Sequence, residues 1–362
     1  MSTHGDALAQ AREQLTALRA SLSANEGRPV RLVETHISWV LLTDTLAYKL
    51  KKPVRLPFLD FTTLAARRHF CEEELRLNRR LAPSIYIDVA EVRESPEGPR
   101  FGGVGRVLDV AVRMRRFPDG ALWSEMLAAG TLAAHHIDAM AQRLSDFHGD
   151  VAVAPPGTTF GSAEVHQRTT RSLIDGIEAC DGEAASRSVD VEWPTLRAWL
   201  SGQCQTLASL WEERRRSGRV RECHGDLHLA NVLQLAGAAT AFDGIEFNDE
   251  LRWIDVLDDI SFLAMDLLAH GQPSLAFRFV NAYLEASGDY DGLPALRFYM
   301  VCRALVRAQV TAIRERQAVQ PAARCGTADY LALASAMSIS ADGRLAITHG
   351  LPGSGKSFVS QA

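Results

Sequence analysis

The sequence has no cysteine pair at metal or redox spacing. Its six cysteines, Cys71, Cys180, Cys204, Cys223, Cys302 and Cys325, stand far apart. A zinc site would need CxxC pairs or a Cys/His cluster, so a structural metal of that kind is not expected. Scattered thiols fit a reducing, cytoplasmic setting instead. No uncharged apolar run reaches the ~18 residues of a membrane helix. The first residues, Met1-Ser2-Thr3-His4-Gly5-Asp6, lack the basic and apolar regions of a signal peptide. Charge of one sign is not in excess: 39 Lys+Arg against 44 Asp+Glu give a net charge of −5. Nothing in that balance demands a nucleic acid or an anionic membrane as partner. Internal repeats and low-complexity tracts are missing too.

What is present suits a folded chain with a sizeable core: 362 residues, 47% hydrophobic and 23% charged. Leu8, Leu15, Leu18 and Leu22 recur at helical spacing and predict a helix over 6–23. Strands are expected near 30–34, 39–42 and 46–50, the last closed off by Pro53 and Pro57. A helix follows over 62–81, ended by Pro83. Two more strands, near 86–93 and 107–115, flank a connection rich in Gly and Pro. Beyond Phe117-Pro118 helical patterns dominate, at about 132–148, 164–180, 193–217 and most of 255–335, around a strand–loop–strand unit from His224 to Asp243. Strands gathered first and helices after predict an α+β fold in two lobes rather than alternating βαβ units.

The chemistry concentrates in His224-Gly225-Asp226-Leu227-His228-Leu229-Ala230-Asn231, followed by Phe242-Asp243. Phosphoryl transfer needs alignment and charge neutralisation more than covalent help. Asp226 can orient an acceptor hydroxyl and take its proton. The amide oxygen of Asn231 and the carboxylate of Asp243 can hold Mg²⁺, a hard ion that wants oxygen. Taken singly, Asp226 and Asn231 would read as turn and cap residues. The ordered set of three argues for a site.

That set resembles the aminoglycoside phosphotransferase and choline-kinase-like branch of the protein-kinase fold. The resemblance covers about residues 30–335. It implies a bilobal architecture, with an N-terminal lobe over 1–115 and a helical C-terminal lobe over 116–335. It implies ATP and Mg²⁺ as cofactors and a small-molecule hydroxyl compound as acceptor. Lys49, in Ala47-Tyr48-Lys49, looks like the family's phosphate-holding lysine, with Lys51 of the same strand parity as the fallback. Glu74 looks like its glutamate partner. Asp255 and Asp259, four residues apart, look like the aspartates that brace the catalytic lobe. Met114-Arg115-Arg116-Phe117-Pro118 falls where such folds place the inter-lobe hinge. One departure is clear: no glycine-rich loop joins the first two strands. The turn there is Thr35-His36-Ile37-Ser38, whose amides and hydroxyls could still meet phosphate.

The chain ends on a second motif. Gly350-x4-Gly355-Lys356-Ser357 matches Walker A, and an apolar strand, Leu345-Ala346-Ile347, precedes it. Gly350, Gly353 and Gly355 would free backbone amides for phosphate, Lys356 would reach the β/γ phosphates, and Ser357 would ligate Mg²⁺. Few residues follow, so 336–362 reads as a junction and the start of a P-loop domain whose remainder is missing. The combination resembles bacterial fusions of an aminoglycoside-phosphotransferase-like half with a P-loop ATP-binding half.

Three functions are therefore in play. The first is a phosphotransferase acting on a hydroxyl of a small polar acceptor. The second is a nucleotide-binding regulatory module controlling the P-loop domain. The third, a nucleic-acid-directed kinase, leans on the basic stretch 212–221 alone, which reads more simply as a solvated helix end. Glu246, Asp249 and Glu250 likewise read as solvated loop carboxylates.

Overall fold

The computed structural model describes residues 3–56, 59–181, 191–317 and 325–339. A long helix, α1 (Thr3–Glu26), leads into β1 (Arg31–Glu34), β2 (Ser38–Leu42) and β3 (Leu46–Lys51). Two short strands follow, β4 (Arg55–Leu56) and β5 (Leu59–Asp60), then α2 (Leu64–Asn78), β6 (Tyr86–Arg93), β7 (Arg100–Phe101) and β8 (Val107–Arg115). Six of the strands form one antiparallel sheet in the order β1-β2-β3-β8-β6-β7.

Strand alternation sets what each face of that sheet carries. Trp39, Leu41, Tyr48 and Leu50 pack against Leu15 and Leu18 of α1. Ala47, Val110, Val112 and Met114 pack on the opposite side with Cys71 of α2. Lys49 and Lys51 share the parity of Ala47, so both enter the face that α2 covers. Thr63 caps α2 by accepting from the Ala66 N–H at 3.1 Å.

The rest of the described chain is mainly helical: α3 (Trp123–Ala128), α4 (Ala134–Asp150), α5 (Ala163–Asp181), α6 (Trp193–Thr206) and α7 (Ala208–Arg216). The helix expected over 193–217 is thus two helices, broken at the buried Leu207. Next come β9 (Val220–Glu222), β10 (Val232–Leu235), β11 (Ala238–Ala241), α8 (Asp249–Arg252) and β12 (Trp253–Asp255). Four helices close the lobe: α9 (Val256–Ala269), α10 (Pro273–Ser287), α11 (Leu293–Gln317) and α12 (Thr327–Ser338).

Helix α9 is the centre of this lobe. Ile260, Phe262, Leu263, Ala264, Met265 and Leu267 are all buried, so it is apolar nearly all round. Two carboxylates interrupt that surface, Asp259 and Asp266, seven residues apart on one face and both buried. The β10–β11 hairpin turns through Ala236 (φ 49°) and Gly237 (φ 82°), the paired positive angles of a tight two-residue hairpin turn. The expected strand–loop–strand unit is therefore a loop, 223–231, followed by a hairpin. β9 pairs with β12 across 30 residues of chain, a pairing that local pattern does not reveal.

Charged contacts join the lobes. Arg76 of α2 and Arg80, two residues past its end, reach Glu222 of β9 at 2.7 and 3.1 Å, and Arg252 meets the same carboxylate at 3.3 Å. Together these elements make a two-lobed protein-kinase-like fold: a small antiparallel sheet with α2 above, a helical body below, and a cleft between them. Among the described residues no helix is long and apolar enough to cross a membrane.

Candidate active site

The cleft gathers the residues expected to act together. Lys49, from β3, contacts two carboxylates: Glu74 of α2, with Nζ 2.8 Å from Oε1, and Asp243, across the cleft. Glu74 is fully buried, and its second oxygen takes a 2.7 Å hydrogen bond from Lys51. Lys51 in turn pairs with Glu246. One ladder of alternating charge thus runs Asp243–Lys49–Glu74–Lys51–Glu246 from cleft to interior. Burial alone would raise the pKa of Glu74, but the two ammonium groups outweigh it and hold the carboxyl down at about 2. Burial works against the charge on Lys49 too, and Asp243 and Glu74 more than offset it, so Lys49 stays protonated.

Asp243 sits in the left-handed region at φ 62°, tolerable for Asp and stabilised by its surroundings. Its N–H donates to the Tyr86 hydroxyl at 3.1 Å. The next residue, Gly244, donates to Asn78 Oδ1 at 2.8 Å, and Asn78 donates back to the Glu74 carbonyl at 3.0 Å. One turn of α2 therefore positions both the lysine-binding glutamate and the segment bearing Asp243.

The loop that carries Asp226 and Asn231 hangs from α9. Asp259 accepts from the N–H groups of His224 (3.1 Å) and Gly225 (2.8 Å), and from His148 Nε2 at 3.0 Å. His148 is held in turn by the Tyr283 hydroxyl at 2.8 Å. Burial favours the neutral acid, but His148 and the other donors prevail and lower the Asp259 pKa to about 2. Asp266 accepts from the Leu229 N–H at 2.9 Å and from Tyr330 at 2.7 Å. Gly225 must be glycine: it lies at φ 83°, and a Cβ there would come within 2.5 Å of the Leu251 carbonyl. His224 Nδ1 accepts from the Asp226 N–H (3.3 Å), which leaves Nε2–H to bond the Phe242 carbonyl at 2.9 Å. That ring ties the loop to the strand end that presents Asp243.

Asp226 keeps 35% of its side chain exposed, with His228 Nε2 at 3.4 Å. Burial raises its pKa, yet His228, Arg307 and His224 overcome this and hold the carboxyl well below the usual range. Asn231 donates from Nδ2 to the Asp226 carbonyl (2.9 Å) and to Oδ2 (3.0 Å). Its amide oxygen is not used by that pair. The oxygen of Asn231 and the carboxylate of Asp243 are hard donors and fit a divalent ion such as Mg²⁺.

Several expectations need restating. Glu246 is not a solvated loop carboxylate: it is buried against Lys51, while the exposed Asp249 and Glu250 pair with Arg252 and Arg168. Asp255 and Asp259 divide their work. Asp255 caps α9, accepting from the Leu257 N–H at 2.9 Å, and binds Arg214, away from the loop. The Thr35 hydroxyl is spent on closing its own turn, accepting from the Ser38 N–H at 3.0 Å, and Ser38 Oγ is buried. Neither hydroxyl is open to phosphate; the backbone of that turn is what remains. Arg116 is not free in solvent, since it donates to the Thr43 carbonyl at 3.0 Å, and Phe117 packs edge-on against Phe242, 5.3 Å between ring centres. The Walker A residues Gly350, Gly353, Gly355, Lys356 and Ser357 lie outside the described residues. Asn78, Tyr86 and His148 had no local signature. For Lys51, the parity it shares with Lys49 was one.

No family model matches the chain. Uncharacterized proteins of Mycobacterium tuberculosis and Mycobacterium bovis are 32% identical over 329 residues, which is 91% of this chain and 64% of theirs. The chain thus spans just under two thirds of the length of the curated relatives it matches. Among solved structures, a choline/ethanolamine kinase family protein from Mesorhizobium loti aligns over 90% of this chain and 95% of its own, at 15% identity and a TM-score of 0.50. An ethanolamine kinase of Plasmodium vivax aligns over 92% of this chain and 84% of its own, at 12% identity and a TM-score of 0.48. The fold is that of the Mesorhizobium protein.

Proposed function

We propose that this chain is an ATP- and Mg²⁺-dependent phosphotransferase whose acceptor is a hydroxyl of a small polar molecule, and that residues 1–115 and 116–335 are its two lobes. The observation that carries the reading is the meeting of Lys49, Glu74 and Asp243 across the cleft, above a loop that presents Asp226 and Asn231. A protein with a merely structural role has no need of that set.

Lys49, oriented by Glu74, would hold the α and β phosphates. Asn231 and Asp243 would hold the Mg²⁺, which when bound neutralises phosphate charge. Asp226 would receive the acceptor hydroxyl. Its lowered pKa makes it a weak base, which suits a loose transition state where the proton leaves late. The acceptor oxygen bonds the γ-phosphorus as the bond to the ADP oxygen breaks, and the proton passes to Asp226 and on to solvent. His228 and Asn231 keep Asp226 ionised and aimed.

The test is ADP release with Mg·ATP and a panel of hydroxyl acceptors. Asp226→Asn should cut turnover by about 10²–10⁴-fold and leave Mg·AMP-PNP binding intact. Asp243→Ala should lose the binding. Magnesium-dependent nucleotide binding with no turnover, indifferent to Asp226→Asn, would instead point to a regulatory module acting on the P-loop segment at 336–362.

A further inference from the structure

We infer that Lys52 is a positioning residue for the nucleotide's phosphates: it clamps the β1–β2 turn, residues 35–38, so that the backbone N–H groups of His36 and Ile37 meet the phosphate chain without a glycine-rich loop. The inference rests on the phosphotransferase reading and names how that site grips its nucleotide.

Register brings the turn to the cleft. Ser38 lies opposite Lys51, and Val40 opposite Lys49. Those two lysines cross to Glu246 and Asp243 of the helical lobe, so the turn stands at the end of the sheet that meets that lobe. Most of its polar groups are spent. The Thr35 N–H donates to the Ser38 carbonyl at 2.9 Å, the Ser38 N–H to Thr35 Oγ1 at 3.0 Å, and the Lys52 N–H to the Ile37 carbonyl at 2.8 Å. Among the described residues nothing accepts from the N–H groups of His36 and Ile37. Two successive free amides are a donor set suited to an anion. None of the four residues is glycine and none has a positive φ. The turn therefore makes no use of glycine's freedom to approach a phosphate, and its placement depends on what holds it.

Lys52 holds it. Its ammonium donates to the Thr35 carbonyl and pairs with Glu34 at 2.7 Å. A lysine at a strand end ordinarily reaches for water, but this one is 8% exposed. The ammonium lies 5.5 Å from the ring centre of Trp39, which is buried in the core beneath α1. Arg12 of α1 reaches the same carboxylate at 2.5 Å and the same ring at 5.9 Å. Burial raises the pKa of Glu34, and the hydrogen bonds from Lys52 and Arg12 more than offset it, so the carboxyl titrates below its usual value. One clamp thus runs Arg12–Glu34–Lys52–Thr35, from the helix packed on the sheet to the turn at the cleft.

The 362-residue chain is titrated calorimetrically with Mg·AMP-PNP and with adenosine, a probe without phosphate, and its melting temperature is recorded. Lys52→Met should weaken Mg·AMP-PNP about tenfold or more, the scale of one lost charge-assisted hydrogen bond, and leave adenosine affinity as in the wild type. Lys52→Arg, which keeps a donor for the carbonyl and a charge for Glu34, should recover most of the loss. Arg12→Gln, at a side chain 54% exposed, should weaken Mg·AMP-PNP about two- to fivefold with the melting temperature unchanged. That variant decides the matter if Lys52→Met does not fold. Wild-type affinity for Mg·AMP-PNP in Lys52→Met, a loss shared equally by adenosine, or, where Lys52→Met does not fold, wild-type affinity in Arg12→Gln overturns the inference and leaves the phosphotransferase standing. Wild-type protein that binds no Mg·AMP-PNP overturns both.

Discussion

Lys49 and Lys51 lie two residues apart on one strand, face the same way, and share Glu74. Their second partners separate them. Lys49 is 13% exposed and meets Asp243 at the cleft. Lys51 is 1% exposed and meets Glu246 in the interior. Phosphate arriving in the cleft can reach Lys49 and draw it from Asp243, because both groups border solvent. It cannot reach Lys51, whose neighbours include Phe61, 5.1 Å from ring centre to ammonium. The same residue type on the same strand thus borders the cleft in one place, where we propose that it holds phosphate, and forms a buried tie between the lobes in the other. Depth in the cleft makes the difference.

Breaking the buried tie should produce the larger effect on the protein itself. Lys51→Met removes one partner of a desolvated pair and strands Glu246, so a loss of about 3–5 kcal/mol is expected, read as a fall in the midpoint of urea unfolding. Lys49→Met should act differently. Glu74 retains Lys51, and Asp243, 41% exposed, is left to water, so stability should change little. Activity should fall instead: kcat/KM for ATP drops by about 10²–10³-fold, the scale of removing one preorganised charge contact in a site. The two readouts cross. If Lys51→Met spared stability and abolished turnover, Lys51 would be the phosphate lysine and the assignment of the pair would be reversed.

The same contrast explains what could be read in advance. Asp226, Asn231 and Asp243 were singled out by order and spacing, and Lys49 with Glu74 by the family resemblance; the contacts of Lys49 with Glu74 and Asp243 are what the fold adds. The parity shared by Lys49 and Lys51 on β3 is a local pattern and was legible, whereas 255–335 read only as mostly helical, and the central place of α9 comes from packing. Glu246 was not legible, because a carboxylate three residues past Asp243 looks solvated until α2 is docked over it. Asn78 and Tyr86 act through backbone groups more than 150 residues away. Asp255 and Asp259 share a spacing that suggests one job, and packing gives them two. β9 and β12 find each other only when the lobe closes. Each miss is a tertiary contact that no periodicity encodes.

The smallest effect concerns the two carboxylates at the ends of Lys51. Both are buried, yet their acidities move in opposite directions. For Glu74, two ammonium groups outweigh burial and lower the pKa from 4.5 to about 2. For Glu246, burial outweighs Lys51, the Glu74 charge adds to it, and the pKa rises above 4.5. Glu74 therefore contributes stability that is present above pH 4.5 and lost as the pH falls from there toward 2. Glu246 does the reverse: its folded form binds a proton more readily than the unfolded chain, so its contribution grows as the pH falls from its raised pKa to 4.5. Glu246→Gln removes that growth and leaves the loss below 4.5 in place. Melting temperatures across pH 3–8 should show the variant losing ground to the wild type between neutrality and pH 4.5, then running parallel to it at lower pH. A difference that stays constant down to pH 4.5 would mean Glu246 does not take up a proton early, and that Lys51 holds both carboxylates ionised alike.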